Sequence, residues 1–235
     1  MTDDGEGIRL AKRVAALAGC SRREAELLIE NGAVRVDGEP ALLPQARVLA
    51  NQHVEIEAGA RPVPVVPVTL LLHKPKGMPV DQAHRLLVPA NHHDPERAGL
   101  RFLPRHAAGQ RCMTPLETGA SGLLVFTQEW RVERRLHEDA ALLEHEIMVD
   151  VAGPVGPETL ARFAHTPARV SVSQRGEGHT GLRFALKGAH PGQVVKLCTD
   201  AGLRILSMKR IRIGRIPLAG LLPGQWRYLL PHERF

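Results

Sequence analysis

Glu117 stands in the stretch Cys112-Met-Thr-Pro-Leu-Glu-Thr-Gly-Ala-Ser-Gly-Leu-Leu-Val-Phe-Thr127, which begins polar and turns apolar from Leu123 to Phe126. A carboxylate in such a place can act as nucleophile or proton acceptor. With Gly119 and Gly122 tightening the chain, the pattern reads as a polar loop delivering Glu117 beside a buried strand or helix start. Two other segments bring reactive side chains close in sequence, Asp81-Gln-Ala-His84 and Ala90-Asn-His-His-Asp94. They match no zinc spacing, and the prolines and glycines around them indicate loop, so no metal site is expected. Cys20, Cys112 and Cys198 are far apart and odd in number. That excludes a disulfide framework and suits a reduced, cytoplasmic compartment.

The elements that must carry these residues belong to a globular chain of 235 residues, 43% hydrophobic and 24% charged, long enough for one ordinary domain and a small one. A formal charge of +6 makes a polyanion a plausible partner. The charge is uneven. Residues 1 to 58 hold at least as many acids as bases, whereas Arg204 to Arg227 holds bases and no Asp or Glu. Aromatics are only 3%, so stacking platforms are not the obvious mode of base recognition. No segment is apolar enough to span a bilayer, and the acidic start Met-Thr-Asp-Asp-Gly-Glu is no signal peptide.

In chain order, Ile8 to Ala18 reads as a helix with Leu10, Val14 and Leu17 on one stripe. Ser21-Arg-Arg-Glu24 forms a capping box for a second helix running toward Glu30, and Asn31-Gly32 stops it. Val34 and Val36 alternate into an Asp-Gly turn, with further short strands at Val48 and Val54–Ile56. Residues 58 to 67 are a proline-rich, extended linker. A larger unit opens on the apolar run Val68 to Leu72 and the turn His73-Lys-Pro-Lys-Gly77. Ile211 and Ile213 alternate with Arg210 and Arg212, predicting a strand with one buried and one basic face.

Residues 8 to 57 resemble the small RNA-binding domain named after a ribosomal small-subunit protein. The rest resembles the ribosomal RNA branch of the RNA pseudouridine synthases. Around Glu117 the family motif is Gly-Arg-Leu-Asp-x-x-Thr-Ser-Gly-Leu-Leu. Leu116, Ser121, Gly122, Leu123 and Leu124 stand as in the family; Glu117 occupies the place of its Asp, Pro115 of its Arg and Ala120 of its Thr. Lys74, Pro75 and Gly77 match Asn-Lys-Pro-x-Gly, with His73 for the Asn. Ile147 stands where the family has the Tyr that packs on the target base, and Val195-Lys196 where it has paired arginines. The segments from Gly202 to Leu218 and from Leu221 to Leu229 match its terminal strands.

The resemblance implies an α+β fold. A small helix-helix-sheet RNA-binding domain (residues 1–57) and the linker (58–67) precede a mixed, mainly antiparallel sheet domain with flanking helices (68–235). It implies structured RNA, most of all ribosomal RNA, as partner, no metal and no organic cofactor; nothing in the sequence demands a partner subunit, so a monomer is expected. RNA contacts are expected from Lys12, Arg13, Arg22, Arg23 and Arg35 in the first domain, with the amides that open the second helix assisting at phosphate. In the second, Lys74, Lys76, Lys196, Lys209, Arg210 and Arg212 are the expected contacts. Glu117 is the expected catalytic carboxylate. Two readings stay open: a divergent synthase isomerising uridine through Glu117, and a non-catalytic relative that binds structured RNA.

Overall fold

The computed structural model describes residues 7–93 and 100–235. The acidic start and Asp94 lie outside the described residues. The chain divides into two compact units, one reaching to Pro67 and including Arg101–Gly109, the other made of the remainder.

In the first unit β1 (Ile8–Arg9) leads into α1 (Leu10–Ala18), whose Leu10, Ala11 and Val14 are buried. Gly19, at φ +63°, ends it in a conformation only glycine adopts without penalty. Helix α2 (Arg22–Glu30) starts on the expected capping box: Glu24 N donates to Ser21 Oγ and Ser21 N to the Glu24 carboxylate. The left-handed residue at its end is Gly32, Asn31 remaining right-handed. Strands β2 (Val34–Val36), β3 (Glu39–Pro40) and β5 (Val54–Ile56) form a small sheet, while β4 (Arg47–Val48) pairs with β1. Leu10, Val14, Leu28, Ile29, Val34 and Val48 make the shared core. Helix α3 (Pro104–Ala107) also belongs here, although its sequence was expected to be part of the larger domain.

The described residues of the second unit are built on a nine-stranded sheet. Its strands are β6 (Thr69–Lys74), β7 (Arg111–Cys112), β8 (Ser121–Thr127), β9 (Glu144–Ala152), β10 (Ala168–Gly176), β11 (His179–Lys187), β12 (Ile205–Ile213), β13 (Ile216–Pro217) and β14 (Trp226–Tyr228). The main order is β10-β11-β9-β12-β8-β6-β14, with β13 on β12 and β7 on β8. Among the described residues only the β12–β8 strand pair is parallel; the other strand pairs are antiparallel, as expected of a mixed, mainly antiparallel sheet. Helices α4 (Trp130–Glu138), α5 (Pro157–Ala161) and α6 (Gln193–Asp200) complete the unit. Strand β6 is buried along its whole length, which explains its unbroken apolar run. One cluster gathers Leu71, Leu123, Val125, Leu136, Ile213 and Ile216 into the core.

The predicted alternation of β12 does not hold. The register against β9 slips between Arg210 and Arg212, leaving Ile211 as an extra residue. Such a bulge turns the strand, so the two arginines are not successive members of one face. Arg210 is buried and Ile211 only partly so.

Candidate active site

Glu117 lies in the loop between β7 and β8, partly exposed. Leu116 beside it is buried, and the Thr114 hydroxyl, also buried, accepts from Val125 N at 2.9 Å. Ala120 N returns to Glu117 O at 3.1 Å and Gly77 N reaches Thr118 O at 2.8 Å. The Glu117 carboxylate accepts from Gly192 N at 2.5 Å. Gly192, at φ +84°, is the N-cap of α6, so the carboxylate meets the positive end of a helix.

Two buried cations hold this loop. Lys74 is 0% exposed. Its ammonium donates to Pro75 O (3.0 Å), Met78 O (2.7 Å) and Thr118 O (3.3 Å), which uses all three of its protons. Arg210 is 2% exposed. It donates to Leu123 O (2.8 Å from Nε, 2.6 Å from Nη2), to Thr114 O, and to Pro115 O at 3.4 Å. Burial depresses the Lys74 ammonium below its ordinary range, with Glu117 opposing. It pushes Arg210 down to about 10, with Cys112 and Glu117 opposing. Desolvation disfavours the charged form, and a nearby carboxylate restores it.

Lys74 and Arg210 flank the same residue. In register, Lys74 pairs with Gly122 on one side and Arg210 pairs with Gly122 on the other. A Cβ at 122 would collide with the Arg210 backbone N and O, and φ there is +117°. Glycine is therefore required where β8 leaves the loop.

The comparisons with known proteins agree with this architecture. The S4 domain family matches residues 8–54. An uncharacterized RNA pseudouridine synthase of Aquifex aeolicus is 28% identical, over 96% of this chain and 94% of its own length. The ribosomal large subunit pseudouridine synthase B of Vibrio cholerae is 29% identical, over 94% of this chain and 71% of that one. A crystal structure of a pseudouridylate synthase superposes with a TM-score of 0.57 at 18% identity, over 95% of this chain and 96% of that one, a likeness of fold. Along nearly its whole length the chain is similar to RNA pseudouridine synthases, with an S4 domain at residues 8–54.

Against that family frame, the cations expected at RNA separate into three groups. The first is interior. Lys74 and Arg210 are buried and bonded to main-chain carbonyls, so neither presents its charge at the surface to RNA. The second is tied to acids or main chain. Arg212, 27% exposed at its side chain, bonds Glu144 and Glu146, each at 2.7 Å. Glu144 also meets Arg169, and Glu146 meets Arg183. Lys196 pairs with Asp200 at 2.8 Å on α6, and Lys76 donates to Leu206 O at 3.0 Å. The third group is exposed and includes Lys12, Lys209, Arg22, Arg23 and Arg35, and Lys76 and Lys196 are exposed as well despite their partners.

Arg22 and Arg23 each lie 3.4 Å from Glu26, and Arg35 donates to Gly38 O, all at the surface. Arg13 is half-buried, and its Nε lacks a hydrogen-bond partner. The opening of α2 is less available than expected, because the Ser21 and Glu24 amides are both taken by the capping box.

Three further features come from the structure: the Gly192 amide, the place of the already noted Ile147 opposite Arg210, and the buried His145. Gly192 supplies the amide at Glu117. Ile147 is 5% exposed and stands opposite Arg210 in the register, an apolar wall where the family carries its tyrosine. His145 is buried, its Nδ1 without a hydrogen-bond partner. Its pKa is lowered to about 3 by burial first, then by Arg210 and Arg212. Among the described residues no group of three or more potential ligands forms a metal site, and no helix is long and apolar enough to cross a membrane.

Proposed function

We propose that the chain binds structured ribosomal RNA and isomerises a uridine through Glu117. In that reaction the N1–C1′ bond breaks and a C5–C1′ bond forms. The proton leaves C5, N1 gains one, and nothing is consumed. Glu117 acts as nucleophile or proton acceptor at the sugar and base, and the target nucleotide must leave its stack to reach it. The observation carrying this reading is the mounting of Glu117, whose loop is held on both sides by buried cations. Burying such charges is costly, and sites that need a fixed carboxylate are where the cost is tolerated. The Vibrio cholerae relative, named for the large ribosomal subunit, supports ribosomal RNA as substrate. The exposed Lys12, Arg22, Arg23, Arg35 and Lys209 provide phosphate contacts.

A second reading, RNA binding without turnover, is favoured by Pro115 and Ile147. Neither offers the guanidinium or aromatic ring of the family at those positions. Pseudouridine mapping separates the two. RNA from cells with the wild-type protein should carry a site missing from both a Glu117→Gln strain and a deletion strain. An identical map in all three leaves the binder reading. For binding itself, Arg22→Ala with Arg23→Ala should weaken affinity and reduce the slope of log K against log salt by about 2. An unaltered slope would remove both residues from the RNA surface.

A further inference from the structure

Resting on the reading of Glu117 as the reacting carboxylate, we infer that Arg210 is a positioning residue, holding the Glu117 loop from β12 because position 115 cannot hold it locally. Pro115 has neither an amide proton nor a donor side chain. What it does present is a carbonyl, and Arg210 takes it, together with that of Thr114. These two residues precede Glu117 by two and three positions. The same guanidinium holds Leu123 O on β8, so one planar fork fastens the loop to the strand that follows it. Every hydrogen bond Arg210 makes among the described residues goes to a main-chain carbonyl. Lys74 holds Thr118 O on the other side of Glu117. The carboxylate is therefore suspended between two anchored points.

Stability alone is a poor reason to keep such a group, since buried charges are often replaced by apolar residues without loss. Geometry is the better reason. A displacement near 1 Å at a reacting group costs about a hundredfold in rate. Gly122 points the same way, because its missing side chain is what lets the Arg210 backbone lie against β8.

The test is made on the full chain with Arg210→Lys and Arg210→Met, read by amide NMR. Gly192 N–H, bonded to the Glu117 carboxylate, reports the position of that group whether or not the protein turns over. Glu117→Gln calibrates the reporter. Both Arg210 variants should keep the amide pattern of β9, β10 and β11 while the Gly192 amide and those of residues 116–120 shift. Turnover should fall about a hundredfold, with KM near the wild-type value. Unmoved loop and Gly192 amides in the folded variants would overturn the assignment. Loss of folding in both would do the same, by making Arg210 a stability residue. A wild-type protein without turnover, in which the Gly192 amide still responds to Arg210, would sink the Glu117 chemistry and uphold the positioning role.

Discussion

Arg210 and Arg212 lie two residues apart on β12, in two regions that treat charge in opposite ways. Around Arg210 is a closed cradle in which a guanidinium and an ammonium are bonded only to carbonyls, with Glu117 as the acid nearby. Around Arg212 is an open ladder, Arg169–Glu144–Arg212–Glu146–Arg183, spanning four strands. The bulge at Ile211 separates them. In the ladder each carboxylate keeps a second arginine when one is lost, although Glu146 itself is buried, so a single link is worth less than in the cradle. In the cradle buried donors meet only main-chain carbonyls, so the geometry is strict. The contrast teaches that the basic run near the end of the chain is not one electrostatic surface.

The comparison breaks first if the cradle tolerates a side chain at its centre. Gly122→Ala places a Cβ against the Arg210 backbone at a positive φ and should cost more than about 3 kcal/mol in urea unfolding. A change under about 1 kcal/mol would show that β8 and β12 are not locked there. Next, Arg210→Met should cost about 2 kcal/mol through carbonyls left unpaired. Arg212→Met should cost less than about 1 kcal/mol, because Glu144 and Glu146 keep Arg169 and Arg183. Equal costs would erase the distinction.

Acid sharpens it further. His145, with a folded pKa of about 3 against 6.5, stays neutral while the unfolded chain takes up a proton. Its contribution is complete above about pH 6.5 and fades toward 3, and His73 and His106, also depressed by burial, act in the same direction. Glu144 and Glu146 are held below the usual carboxylate range, first by their bonds to Arg212. Their contribution is present above about pH 4.5 and is lost as pH falls through the folded values. Urea midpoints of the wild-type protein should therefore begin to fall below about pH 6.5. Arg212→Met should flatten chiefly the part below about 4.5, and His145→Gln should reduce the slope across the whole range from about 6.5 toward 3. The smallest effect is that of salt: 0.5 M NaCl should shrink the cost of Arg212→Met and leave that of Arg210→Met unchanged.

Much of the fold was legible in the residues. The Ser21–Glu24 capping box, the glycine stop after α1, and the run from Leu70 to Leu72 each act through local rules, and each appears in place. The Asp37-Gly38 turn does too, with φ of +51° and +84°. The site was legible in part. Glu117 and the Ser121-Gly-Leu-Leu frame mark the loop, but Lys74, Lys196, Arg210 and Arg212 look alike as basic residues in a sequence. A bulge carries no reliable signal in an apolar–basic alternation, so β12 reads as having a basic face that it lacks. Gly192 is silent for another reason: its contribution is a main-chain amide, 75 positions from the carboxylate it binds.

The sequence by itself determined the two-part likeness, the capping box and glycine stops of the first unit's helices and the identity of the one carboxylate in the motif loop, though Ile8–Arg9 is a strand rather than the start of α1 and Leu17 is exposed. These depend on neighbours along the chain, whose caps, turns and periodicities are written in residue type. Only the tertiary structure decided which cations are interior and what Glu117 touches. Strands β6, β8 and β12 come together from positions far apart, and their close approach at Gly122 closes the space around Lys74 and Arg210. Once that space is closed to water, a charged side chain must find carbonyls, and the loop carrying Glu117 supplies them.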